Sequence, residues 1–161
     1  MTSFTFPRRS YVSGHIDDYA ALDEQRICHP VPKPGVVGFR TIILTRFPDT
    51  VDRGITRPCG SRGTSEHKEG RAWDWGIAAD SQRHAVDAVL NQLLEADACG
   101  NEHAMARRFG IMYMIWDNRI WGAYAAAEGW RTYFGPDPHT DHVHFSFSWS
   151  GALRRTSWWT G

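Results

Sequence analysis

The chain has 161 residues, 42% of them hydrophobic and 22% charged, which suits one soluble domain and excludes the weakly hydrophobic, highly charged profile of a disordered chain. Eighteen basic side chains balance eighteen acidic ones, so no net field draws the protein toward nucleic acid or an anionic membrane surface, and neither is expected as a partner. No apolar run approaches the roughly 18 residues of a membrane helix, and Met1 to Ser10 lacks the apolar stretch of a secretory signal.

In chain order, His15 to Arg26 is predicted as a short helix, ended by Pro30, Pro32, Pro34 and Gly35, where regular structure is not expected. Phe39 to Phe47, with its β-branched run Thr41, Ile42 and Ile43, reads as a strand, and Pro48 to Thr64 as a loop suited to a substrate groove. From Arg71 to Ala79, Trp73, Trp75 and Ile77 alternate with Ala72, Asp74 and Gly76, which predicts a strand with Asp74 facing away from the tryptophans. A helix capped at Asp80 or Ser81 carries Val86, Val89, Leu90, Leu93 and Leu94 at helical spacing and stops by Cys99-Gly100.

Glu102 to Arg108 is predicted as a second short helix, and Ile111 to Trp116 as a strand that turns at Asp117-Asn118 into Arg119 to Trp121. Gly135, Pro136 and Pro138 break the chain before a last strand, Val143 to Trp149. There Val143, Phe145, Phe147 and Trp149 share one face, while His142, His144, Ser146 and Ser148 share the other. The sum is one α+β domain over residues 1–161, a small, mostly antiparallel sheet with helices on one side. The three cysteines, Cys28, Cys59 and Cys99, form no Cys-x-x-Cys spacing, and a Cys28–Cys59 bridge and free thiols are equally open.

Two polar clusters flank the main helix, residues 65–74 and 139–144, and together hold four of the eight histidines. A zinc ion that does catalysis takes three imidazole or carboxylate ligands and leaves a fourth position to water, and His67, Asp74 and His144 supply such a set. Asp74 and His144 lie on the polar faces of two predicted strands, so the sheet can fix both, while Gly70 lets the loop bearing His67 bend back. His15, His29, His84 and His103 have no such company and read as ordinary surface or core histidines.

Residues Ser65 to Asp74 spell S-x-H-x-x-G-x-A-x-D. This resembles the first metal motif of the D-Ala-D-Ala carboxypeptidases and of the L-alanyl-D-glutamate endopeptidases of phage lysins, a group that also includes lysostaphin and the hedgehog signalling domain. Asp141-x-x-His144 is similar to the family's acidic residue three positions before the last ligand, and His142-x-His144 to the H-x-H form of other members. The resemblance implies zinc on His67, Asp74 and His144, a small antiparallel sheet flanked by helices, and peptides of the bacterial cell wall as substrate. Endopeptidase and D,D-carboxypeptidase both remain open.

The same resemblance points to Asp141 as general base, with His142 stabilising the oxyanion or steering substrate. Strict strand alternation argues the other way, since it sets His142 beside His144 and turns Asp141 aside; the irregular start of the strand favours Asp141. His139 completes an H-x-x-H-x-H pattern and supports the ligands or lines the pocket rim, and Ser65 orders the site or caps a turn. A cationic group is needed for the carboxylates of a wall peptide; Arg57, Arg62 and Arg71 are near, and the family's usual position favours Arg57. Trp73 and Trp75 read as core. A monomer acting at the cell wall or outside the cell is expected, as a phage lysin released by a separate pore protein or a piece of a secreted chain. The competing readings are a metal-dependent nuclease and a non-catalytic zinc-containing binding module.

Overall fold

A computed structural model describes residues 3–7 and 16–161. Its sheet has six strands, β1 (Val51–Asp52), β2 (Ala72–Gly76), β3 (Ile111–Trp116), β4 (Arg119–Gly122), β5 (Arg131–Thr132) and β6 (His142–Phe147). They lie in the order β1-β2-β6-β3-β4-β5 with every neighbouring pair antiparallel, so the expected α+β architecture is the one observed. The last strand in sequence is thus inside the sheet, between β2 and β3.

Strand alternation gives the sheet two different faces. Trp73, Trp75, Val143, Phe145 and Phe147 point to one side and are buried there, as the sequence predicts. Helices α1 (Pro34–Arg46), α2 (Arg83–Leu94) and α3 (Ala104–Phe109) contribute to the same core through Val36, Phe39, Ile43, Val86, Val89, Leu93 and Phe109. The Phe39 ring touches Trp73, Phe109, Phe145 and Phe147, with centroids 5.0–6.1 Å away. Both buried indoles of β2 find acceptors: Trp73 Nε1 donates to Asp52 at 2.9 Å and Trp75 Nε1 to Thr50 at 2.7 Å. Two short C-terminal helices, α4 (Trp149–Ala152) and α5 (Ser157–Thr160), close this side.

Three expectations are corrected. Phe39 to Phe47 is not a strand but most of α1, because Val36, Phe39 and Ile43 recur at helical spacing and this outweighs the β-branched run. The Pro-rich stretch does not exclude regular structure, since Pro34 opens that helix, where a missing N–H costs nothing. Residues 16–26 form no helix, and His15 lies outside the described residues. Their backbone is claimed by distant side chains: Arg107 Nε donates to Asp17 O, Arg71 to Asp23 O, and the amides of Arg26 and Ile27 donate to Glu69.

Smaller differences concern ends. The main helix stops at Leu94 rather than near Cys99, and Trp149 leaves the last strand to start α4. The 111–122 hairpin forms as predicted, with Asp117 and Asn118 both at positive φ, as its two-residue turn requires. Cys28 and Cys59 are bridged, and Cys99 is free and exposed. Among the described residues, no helix is long and apolar enough to cross a membrane.

Candidate metal centre

Asp74 on β2 and His144 on β6 are directly opposed in the antiparallel register, on the face turned away from the core. Cross-strand partners stand about 5 Å apart at Cβ, which leaves their polar ends free to meet. They do: His144 Nδ1 lies 3.0 Å from Asp74 Oδ1. The third group comes from a 3-10 turn over Glu66–Glu69, capped by Ser65, whose hydroxyl accepts from the His67 amide at 3.3 Å. Gly70 ends the turn at φ 67°, and any Cβ there would overlap the carbonyl of Val31, so only glycine permits the bend that sends the chain into β2. His67 Nε2 then reaches within 3.2 Å of Asp74 Oδ2. The three ligand atoms all lie within 4.8 Å of one another, and the set can hold a metal ion.

Hydrogen bonds on the far sides of the two rings decide what they present to the carboxylate. His67 Nδ1 donates to the Ile55 carbonyl at 2.8 Å, so Nε2 carries a lone pair; it is buried and lacks a hydrogen-bond partner. Glu66 accepts from the Tyr113 hydroxyl at 2.6 Å and from Ser146 Oγ at 3.2 Å. Ser146, its proton spent on Glu66, accepts from His144 Nε2 at 2.7 Å and leaves the lone pair of that ring on Nδ1. Two lone pairs therefore converge on one carboxylate. Such a contact repels unless a positive charge sits between, and burial depresses the His144 pKa and opposes a proton there. A cation suits this donor set.

The Asp74 carboxyl shows the same bias. Burial pushes its pKa up, but the two imidazoles packed against it, His144 and then His67, outweigh that and hold it well below the usual carboxylate range, so it is an anion. The Tyr113 hydroxyl is pushed far up by burial and by Glu66, stays protonated, and stacks its ring on His144 with centroids 5.4 Å apart. Glu66, Tyr113 and Ser146 escaped the sequence reading as functional groups. Ser146 was visible as a face-mate of His144, whereas Glu66 and Tyr113 gain meaning only when the turn and β3 meet across the sheet.

The centre opens into a cleft of about 340 Å³ whose walls include Arg57, Arg62, Ser65, His139 and His142. His142 faces the cleft, two residues along β6 from His144, as alternation requires. Asp141 does not share that direction: its side chain is 59% exposed, with Oδ1 accepting from His142 Nδ1 at 2.8 Å and Oδ2 from Arg53 at 3.0 Å. The hydrogen bond from His142, and then Arg53, lower its pKa, so it is charged. Asp141, expected from the resemblance as the general base, thus meets the cleft through His142, and Arg53, which the sequence did not single out, fixes it.

Arg71 is also relocated. It is wholly buried, bonded to Glu69, to Phe147 O at 2.7 Å and to Asp23 O at 2.7 Å, and its guanidinium packs on Trp149. It ties three chain segments together and cannot reach a ligand in the cleft. Arg57 and Arg62 are the cationic groups there, on the loop anchored by the Cys28–Cys59 bridge and by Lys68 Nζ, which donates to Ser61 O at 2.6 Å and Gly63 O at 2.7 Å.

Fold and site together define an α+β protein with a two-histidine, one-carboxylate cluster able to bind metal beside an arginine-lined cleft. Residues 28–144 match the family model described as VldE, C-terminal domain, and the chain belongs to that family. The matched stretch begins at one half of the disulfide and ends on the last histidine of the cluster, so it contains all three ligand residues. Neither a curated protein nor a solved structure matches the chain.

Proposed function

We propose that the protein is a zinc-dependent peptidase that hydrolyses a peptide bond in the stem peptide or crosslink of the bacterial cell wall. The observation that carries this reading is the convergence of two oriented imidazole lone pairs on the Asp74 anion at the floor of a cleft that also presents Arg57 and Arg62. Nitrogen and oxygen donors without a thiolate suit zinc, and three protein ligands leave one position open. Bound there, zinc would polarise the scissile carbonyl and bring a water's pKa toward neutrality.

The chain's own groups supply the rest. His142, with Nδ1–H donated to the charged Asp141, offers the lone pair of Nε2 to the cleft and takes the proton from the attacking water, later passing it to the leaving amine. Asp141 acts through His142, fixing its tautomer and stabilising its cationic form, while Arg53 fixes Asp141 in turn. Arg57 and Arg62 bind substrate carboxylates, and the neutral Tyr113 hydroxyl, already donated to Glu66, stays with the ligand support rather than the reaction. The Cys28–Cys59 bridge supports an oxidising compartment, in keeping with action outside the cytoplasm.

The deciding experiment is digestion of purified peptidoglycan by zinc-loaded protein, with the new chain ends identified by mass spectrometry. New amino or carboxyl ends that vanish after chelation and return with zinc are the expected result. Intact peptides after prolonged incubation with fully loaded protein would defeat the proposal.

A further inference from the structure

A second cluster of metal-binding character stands beside the first. Asp137, His139 and His142 bring their ligand atoms within 4.8 Å of one another, and none of the three belongs to the His67, Asp74, His144 set. Each imidazole already has its far nitrogen engaged in the manner of a metal-bound histidine. His139 Nδ1 donates to the Asp137 carbonyl at 2.6 Å, and His142 Nδ1 donates to Asp141 at 2.8 Å. The nitrogens left to coordinate are the two Nε2 atoms, and that of His142 lies 3.8 Å from Asp137 Oδ2.

The backbone is also bent to make the cluster. His139 sits at φ 53°, a left-handed conformation that non-glycine residues rarely adopt unless the surroundings impose it. Its amide donates to Asp137 Oδ1 at 3.0 Å, and its ring packs on His142 with centroids 4.6 Å apart and edge-on to Tyr133. The two clusters lie close, with His139 and His144 ring centroids 6.0 Å apart.

We infer that Asp137, His139 and His142 form a second, weaker site for a divalent transition-metal ion. It is weaker because Asp137 is 60% exposed on its side chain and must be ordered to coordinate, whereas Asp74 is already fixed. An ion here takes the Nε2 lone pair of His142, the atom assigned above to proton transfer. Excess zinc therefore stops turnover, a consequence that rests on the proposed function, while ion binding itself does not.

The test is equilibrium dialysis of the metal-free full chain against rising zinc, with bound metal counted by mass spectrometry. Two ions per wild-type chain are expected, with the second lost or weakened at least about ten-fold in Asp137→Asn and in His139→Ala while the first remains, since even groups that merely support ligands cost that much. Asp137→Asn keeps an acceptor for the His139 amide, and retention of the first ion reports that it is folded. One ion at saturation in the wild type, or a weak class unchanged in both variants, would overturn the site. Peptidoglycan digestion at excess zinc, each protein scaled to its own rate at one equivalent, reads the consequence separately: wild type falls and Asp137→Asn does not. Two bound ions without inhibition would remove His142 from proton transfer and leave the second site standing.

Discussion

Replacing Ser146 with alanine isolates the support of a single ligand. The side chain is fully buried, and its hydroxyl links His144 Nε2 at 2.7 Å to Glu66 at 3.2 Å. Ser146→Ala leaves the imidazole N–H without an acceptor and removes one of two donors from Glu66. An unsatisfied buried polar group costs about 1–3 kcal/mol, which the metal-free protein should lose in a urea titration. The ring is also freed to adopt the other tautomer, and loss of such support typically weakens metal binding about 10–100-fold, or about 1.4–2.7 kcal/mol. Zinc affinity measured by competition with a chromophoric chelator should fall by that factor. Because bound metal stabilises by mass action, the variant should lose more stability at a fixed free zinc concentration than without metal. Affinity within two-fold of wild type, with only the metal-free protein destabilised, would refute the orienting role and leave Ser146 as packing.

His144→Ala should lose the ion, whereas Asp141→Asn should keep it and lose turnover by about a hundred-fold or more, with the lower edge of the pH–rate profile displaced; metal content and peptide release on both variants check this, and an Asp141→Asn enzyme of full activity would end the His142 assignment. Arg71→Ala should destabilise the fold by about 3–5 kcal/mol by leaving Glu69 buried and unpaired, measured by denaturant titration; a stable variant with only a raised KM would restore the substrate role expected from sequence. Asp97 is lowered to about 2, because hydrogen bonds from Asn101, Arg108 and the Cys99 amide outweigh its burial. A carboxylate with a depressed folded-state pKa stabilises above its unfolded value and loses that contribution as pH falls toward the folded one. The stability gap between wild type and Asp97→Asn should thus shrink between about pH 5 and pH 2, and a gap independent of pH would contradict it.

The half of the fold that carries the cluster was legible because it depends on period-two alternation, which is local. Trp73-Asp74-Trp75 and Val143-His144-Phe145 state in three residues which side chain is core and which is not, and the register of β2 on β6 makes the two polar ones meet. The N-terminal third misled for physical reasons. In α1 a β-branched triplet sits inside a helical stripe, and tertiary contacts of Val36, Phe39 and Ile43 override local propensity. Residues 16–26 have helical composition, but their backbone groups are taken by Arg71, Glu69 and Arg107 from across the molecule. Site residues divided along the same line. His67, Asp74 and His144 were found through spacing, whereas Glu66, Tyr113 and Arg53 act through partners 47, 80 or 88 positions away, a separation no motif records.

Strand β6 packs Val143, Phe145 and Phe147 into the core with one side and carries His142, His144 and Ser146 on the other. Its two faces cannot move separately: a shift that displaced His144 would drag three aromatic or branched side chains out of a packed interior. Any breathing that widens the cleft must then come from its rim, the segments near Arg57 and Tyr133, while the Asp74–His144 pair stays as stiff as the sheet. Amide protons of β6 should accordingly be among the last to exchange with solvent, whether or not the cleft is filled.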